Sequence, residues 1–153
     1  MDDRFSPATK ALLDSAALRC AKRGAKLTEL RRQVLGLVLE SPAPAGAYDL
    51  LDRLRDTRGP SAPPTVYRAL EFLVEHGFIH RVERLAAFVG CIEEEPHDHG
   101  HAAQFLICKN CKQVAEIDDH DVAHALEAAA GRIGFTLART TIEAEGLCAE
   151  CAG

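Results

Sequence analysis

Four of the six cysteines fall in two pairs of identical spacing, Cys108-x2-Cys111 and Cys148-x2-Cys151. A two-residue gap lets both sulfurs of a pair face one point from a tight turn. Two such knuckles close a tetrahedral thiolate site suited to Zn2+. With four protein ligands the site keeps no open position for water, so its chemistry is structural: it clips the segment around Cys148 to the segment around Cys108. The 36 residues between the pairs exceed the usual zinc-ribbon spacing, so one short β-ribbon does not join them. The competing reading is a pair of incidental or redox-active CxxC motifs.

A second constellation is His80, Cys91, His101 and Glu116, which together offer N, S, N and O donors at or near the ends of strand-like segments. Such a mixed set binds Zn2+ more weakly and with more pH dependence than four thiolates. The bland alternative is a surface histidine and a small core cysteine. His97 and His99, in His-Asp-His-Gly-His, could form a third metal site with Asp98, His120 or His124, although an acidic loop of this kind is normally a solvated linker. Cys20 has no partner in sequence and falls on an apolar helix stripe, where core packing is the default.

The elements that must position these residues can be read from periodicity. Ser6-Pro7 starts a first helix with Leu12, Leu13, Ala16, Ala17 and Cys20 on one face, ending at Gly24. Thr28 caps a second helix with the stripe Leu30, Val34, Leu37 and Val38 and with Arg31 and Arg32 toward solvent. Ser41 to Gly46 is a breaker run, and Ala47, Leu50, Leu51 and Leu54 mark a short third helix before a loop from Thr57 to Pro64. Thr65 caps a fourth helix, to His76, with Val66, Leu70, Leu73 and Val74 inward. Phe78 to Glu83 and Ala86 to Cys91 then read as a β-hairpin. Three helices and a hairpin make a winged helix-turn-helix.

Residues 92–101 carry charge, Pro and Gly without apolar periodicity and read as a hinge. After it, Ala103 to Cys108, Gln113 to Ile117 and Phe135 to Ile142 are strand-like, and Val122, Ala125, Leu126 and Ala129 mark one helix. The expected organisation is therefore α+β: a winged-helix domain over residues 1–91, a hinge over 92–101 and a small α/β domain over 102–153. The second domain has too few apolar residues for a full core and is expected to complete it against a second copy of the chain.

Charge divides the same way. The whole chain of 153 residues carries a formal net charge of −5, which argues against a nucleic-acid binder because phosphate neutralisation needs Lys and Arg. Residues 1–91, however, hold 14 Lys and Arg against 11 Asp and Glu, and residues 92–153 hold 4 against 12. A mildly basic reader is thus joined to an acidic, metal-holding half. Hydrophobic residues at 47% and charged ones at 27% exclude a disordered or fibrous chain. No apolar run approaches the ~18 residues of a membrane helix, and Met1-Asp2-Asp3-Arg4 lacks a signal-peptide layout, so no membrane association and a cytoplasmic location are expected.

In a helix-turn-helix the N-terminal residues of the second helix enter the major groove, which makes Tyr67 and Arg68 the leading DNA contacts, with Tyr48, Arg31 and Arg32 as further candidates. Asp52 and Arg55 share the exposed face of the third helix with Tyr48, as a local pair or as a contact to a neighbouring protein on the DNA. An enzyme reading, a zinc hydrolase or deaminase, would need three ligands, an open position and a nearby Glu. No His here is followed two residues later by Glu, so the deaminase pattern is missing and no catalytic residue is assigned.

The segment PPTVYRALEFLVEHGFIHRVE, followed by FVGC, HAAQFLICKNC and IEAEGLCAEC, resembles the Fur family of metal-dependent repressors, most closely its zinc-sensing branch. That resemblance implies a homodimer on a palindromic double-stranded operator, repressing zinc uptake genes, with two zinc ions per subunit; a third would rest on His97 and His99 rather than on the resemblance. It implies a structural zinc on Cys108, Cys111, Cys148 and Cys151 and a regulatory zinc on His80, Cys91, His101 and Glu116. It also places Tyr48, Tyr67 and Arg68 at DNA-contacting positions, and Asp52 and Arg55 between two dimers on one operator. Other members sense iron, manganese or peroxide. The Cys91 thiolate favours zinc over these metals.

Overall fold

The computed structural model describes residues 4–58, 63–91, 103–138 and 140–153. His97, His99 and His101 lie outside the described residues, as does the rest of the expected hinge. The chain divides into two compact units, Met1–Cys91 and Ile92–Gly153.

The first unit begins with α1 (Pro7–Lys22), where the Ser6 side chain accepts the Thr9 N–H and proline occupies the first turn. Helix α2 (Glu29–Glu40) is capped by Thr28, which accepts the Arg31 N–H. Both caps satisfy backbone donors that a helix start leaves unpaired. Then follow β1 (Ala45–Gly46), α3 (Ala47–Arg58), α4 (Pro63–Glu75), β2 (Ile79–Val82), a 3-10 turn at Glu83–Leu85 and β3 (Ala87–Gly90). The strands form an antiparallel sheet in the order β1-β3-β2, so the structure is a winged helix-turn-helix with α4 as its second helix. One core holds it together: Leu13, Val34, Leu50, Leu54, Leu70, Leu73 and Ile79 are almost fully buried.

Three local differences from the sequence reading have physical causes. The breaker run ends in a strand, because Ala45 and Gly46 pair with Phe88 and Ala87 and so add a third strand to the wing. Helix α4 starts at Pro63, two residues before Thr65, and α3 runs on through Arg58. Proline at the first helical positions has its φ already set and no N–H to leave unpaired, which makes the Pro63-Pro64 pair a helix start in itself. In α1, Leu13, Ala16 and Cys20 are buried but Leu12 is exposed, its place on the inner face taken by Thr9.

In the second unit β4 (Ala103–Cys108) lies between β5 (Val114–Ile117), antiparallel to it, and β6 (Thr141–Gly146), parallel to it. Helix α5 (His120–Arg132), capped by Asp119, makes the crossover that a parallel pair requires, and a short α6 (Ala149–Ala152) follows β6. The third strand thus falls later than the expected Phe135 to Ile142. Gly134, at φ 75°, turns the chain out of α5, and pairing starts only where Thr141 meets Ala103. Gln104 is buried in β4 and bonds both ways with the backbone of Asp119, its amide donating at 3.0 Å and its oxygen accepting at 3.4 Å. Val122, Leu126, Ile133 and Phe135 are exposed.

Phe5 anchors the segment before α1 by lying against Gly36 in the middle of α2, where a Cβ would fall onto its ring. Gly36→Ala is therefore expected to expel Phe5 from the core and cost about 1–3 kcal/mol. Urea unfolding checks this, and an unchanged midpoint would contradict it.

Candidate metal centres

Cys108 ends β4, and the chain turns back at once through Lys112, which adopts a left-handed φ of 64°. The turn is closed by the Lys112 N–H donating to the Cys108 carbonyl and the Cys108 N–H donating to that of Gln113, both at 2.9 Å. The neighbouring parallel strand is tied to the same turn, because the Lys109 N–H donates to the Gly146 carbonyl at 2.9 Å. Cys148 then sits at the N-cap of α6, whose one turn carries Cys151 round to the same point. All four sulfurs lie within 4.8 Å of one another, and Cys111 and Cys148 are 3.8 Å apart. A tetrahedron with Zn–S bonds of about 2.3 Å has an edge of about 3.8 Å, so the cluster fits zinc.

Electrostatics point the same way. Backbone N–H groups of Cys111 and Cys148 directed at the Cys108 sulfur bring its thiol down to about 6. At Cys111 the Gln113 N–H favours the thiolate, but the sulfur of Cys108, burial and the sulfurs of Cys148 and Cys151 outweigh it and push the thiol up to about 11. Four thiolates crowd one another unless a divalent cation sits among them. The Asn110 amide also donates to the Cys151 sulfur at 3.3 Å. Sequence reasoning passed over this residue; its place inside Cys-Lys-Asn-Cys is the one signal that could have marked it.

The wing holds the second group. His80 pairs with Val89 across the hairpin, and Cys91 continues the ladder by donating its N–H to the Phe78 carbonyl at 3.0 Å. Cys91 is therefore a diagonal neighbour of His80 on one face of the hairpin. The two ligand atoms are within 4.8 Å, and both residues are half-buried. Glu116 is half-buried on β5, opposite Phe105. His120 and His124 are exposed on α5, and His124 stands 4.0 Å from Glu127. Cys20 is fully buried, and burial pushes its thiol up, as suits a core residue.

On the first unit, Tyr67 and Arg68 are exposed in the second turn of α4, and Tyr48 is 76% exposed in the first turn of α3. Asp52 and Arg55 form an exposed pair at 3.7 Å. Arg31 and Arg32 are not on an open face. Arg31 donates to the Lys26 carbonyl at 2.7 Å, and Arg32 is held by Asp14 at 2.8 Å.

Comparison with known proteins adds family evidence. The sequence profile described as the Ferric uptake regulator family matches residues 22–145. The zinc uptake regulation protein of Escherichia coli (strain K12) is 41% identical over 144 residues, covering 94% of this chain and 82% of that protein. A zinc uptake regulator complexed with zinc and DNA matches with a TM-score of 0.88 at 39% identity, over 96% of this chain and 97% of that one. The holo form of XcZur matches with a TM-score of 0.82 at 42% identity, over 93% and 97%.

Removing the Asn110 donor with Asn110→Ala is expected to weaken zinc at the four-cysteine cluster by about tenfold. Chelator competition measures this. Equal zinc retention by the variant would show that the amide does not support the cluster.

Proposed function

Because the chain belongs to the ferric uptake regulator family, we propose that it is a zinc-responsive repressor that binds DNA upstream of zinc uptake genes in the cytoplasm. The observation that carries this reading is the Cys91 thiol beside the His80 imidazole on one face of the wing. A soft sulfur ligand in that place selects zinc over iron or manganese, for which oxygen-rich ligation is expected. His80, Cys91, His101 and Glu116 form the regulatory ligand set. Cys108, Cys111, Cys148 and Cys151 hold a structural zinc, giving two zinc ions per subunit. Bound zinc would join His80 and Cys91 to His101 and Glu116.

The protein's own residues then do the reading. Tyr67 and Arg68, at the leading end of α4, meet the major groove, and Tyr48 meets the backbone. A homodimer presents two such helices to a palindromic operator, and the exposed apolar side chains of Val122, Leu126, Ile133 and Phe135 support the second copy. Asp52 and Arg55, an exposed ion pair on α3, form the contact to a neighbouring dimer on the same operator. A ligand shifts a conformational equilibrium only by its differential affinity. A set of four ligands as far apart in sequence as His80 and Glu116 would give zinc that difference, because an arrangement that brings all four together is favoured over those that do not. No catalytic role is assigned to any residue.

Operator binding titrated against free Zn2+, Fe2+ and Mn2+ tests the proposal. Wild type is expected to respond to zinc, and Cys91→Ser to need at least about tenfold more of it. A Cys91→Ser protein that binds at the wild-type zinc level would overturn the regulatory assignment. Arg68→Ala should weaken binding at fixed salt, and unchanged affinity would remove Arg68 from the interface.

A further inference from the structure

The trailing end of α4 is enclosed by cations and rings contributed by three helices. The Arg31 guanidinium lies 3.7 Å above the centroid of the Phe72 ring, the tightest of the arginine–ring contacts in the first unit. One helical turn on, the His76 ring is 4.2 Å from that of Phe72, and beyond it the Phe78 ring stacks at 6.4 Å, 14° from parallel. Arg19 closes the far side, 4.7 Å above Phe78. Arg23 donates to the His76 carbonyl at 3.1 Å, a cation at the negative end of the helix dipole. Gly77, at φ 77°, then turns the chain directly into the wing, so the stack spans the junction between recognition helix and hairpin.

We propose that Arg31 is a positioning residue: seated on the Phe72 ring, which the His76 ring also contacts, it fixes the trailing end of α4 on α1 and α2 and so aims the recognition helix, without itself touching phosphate. Two features argue for this over a DNA contact. The guanidinium is engaged twice inside its own unit, by the ring and by the Lys26 carbonyl. A guanidinium this close over a ring face is also a use of arginine that lysine reproduces poorly, whereas a phosphate contact needs only a cation within reach. The inference rests on the reading of α4 as the DNA-reading helix.

His76 reports on the stack. Burial holds its imidazole below the usual histidine range, and the nearby charges of Arg23 and Arg31 lower it further while Glu75 on its own helix opposes them. Arg19 is the remaining cation facing the stack, over Phe78. A histidine lowered in this way favours the folded state above its ordinary value of 6.5, and that contribution is lost as pH falls below it. If Arg31 holds its place, taking away its charge lets the His76 midpoint rise, and Arg31→Lys leaves it low.

The test uses zinc-loaded full-length protein and a duplex selected from a random pool by wild type. Operator affinity is measured across a salt series for wild type, Arg31→Lys, Arg31→Met and Phe72→Leu, with His76 followed by imidazole NMR. Arg31→Lys and Arg31→Met are expected to weaken binding alike, by about tenfold, with the slope of log affinity against log salt unchanged. Phe72→Leu, which removes no charge, should do the same, and adding Arg31→Met to it should weaken binding little further. The His76 midpoint should be higher in Arg31→Met than in Arg31→Lys, and it should also rise in Phe72→Leu, which strips the imidazole of burial. Rescue by Arg31→Lys, a salt slope lower by about one in Arg31→Met, or one His76 midpoint in all variants would each overturn the proposal. If instead wild type selects no duplex, or Arg68→Ala binds as well as wild type, it is the DNA-reading assignment of α4 that falls.

Discussion

A parallel pair of strands cannot be closed by a tight turn, and the second unit depends on how it meets that constraint. β4 and β6 are separated by a whole helix and its connections, so nothing local holds them in register. The ladder runs from Ala103 opposite Thr141 to Cys108 opposite Gly146, and it ends where the cysteines begin. Cys108 ends β4, Cys111 lies in the turn to β5, and Cys148 and Cys151 follow β6. A metal on these four sulfurs would therefore join all three strands at one end of the sheet. At the other end, Gln104 binds the backbone of Asp119 where α5 begins. Between those two ties the described residues bury little more than Ala103, Phe105, Ile107 and Ala130, so the proposed metal and a second chain would supply much of the unit's stability.

The first unit solves a different problem. Its core is large enough to stand by itself, so its surface can be given to recognition. Helix α4 serves both needs: Val66, Ala69, Leu70 and Leu73 are buried while Tyr67 and Arg68 remain exposed. The cations nearest to it divide in the same way. Arg68 is free of intrahelical burial and faces outward, whereas Arg23 and Arg31 are drawn in by a carbonyl and a ring. A modest surplus of positive charge is consistent with this division. Some of the cations stabilise the reader's geometry, and fewer are left for general attraction to phosphate.

Much of this was legible in the residues, for reasons that can be stated. Ser6 and Thr28 announce helix starts because a hydroxyl can accept an orphaned N–H, and both do so here. The CxxC pairs converge because their spacing is itself a geometric statement. Less could be seen where partners are distant in sequence. The strand Ala45–Gly46 is two residues long and exists only because β3 offers an edge some forty residues later. The start of β6 was misplaced because Phe135 to Ala138 are as apolar as a strand, yet pairing is decided by the register with β4. Arg31 and Asn110 were opaque for the same reason: a periodic pattern tells which way a side chain leaves the helix or turn, and not what it will find there.

The order of strands also has a consequence during synthesis. β5 emerges soon after β4 and covers one of its edges, but the other edge is covered only when residues 141–146 have been made. Until then a row of unpaired amides and carbonyls runs beside Phe105 and Ile107, a template that another nascent chain could extend. Zinc held by the four cysteines, as proposed, would fasten the finished ladder at Cys108. In a cell short of zinc, newly made chains would therefore be the ones most exposed to aggregation and to proteolytic clearance.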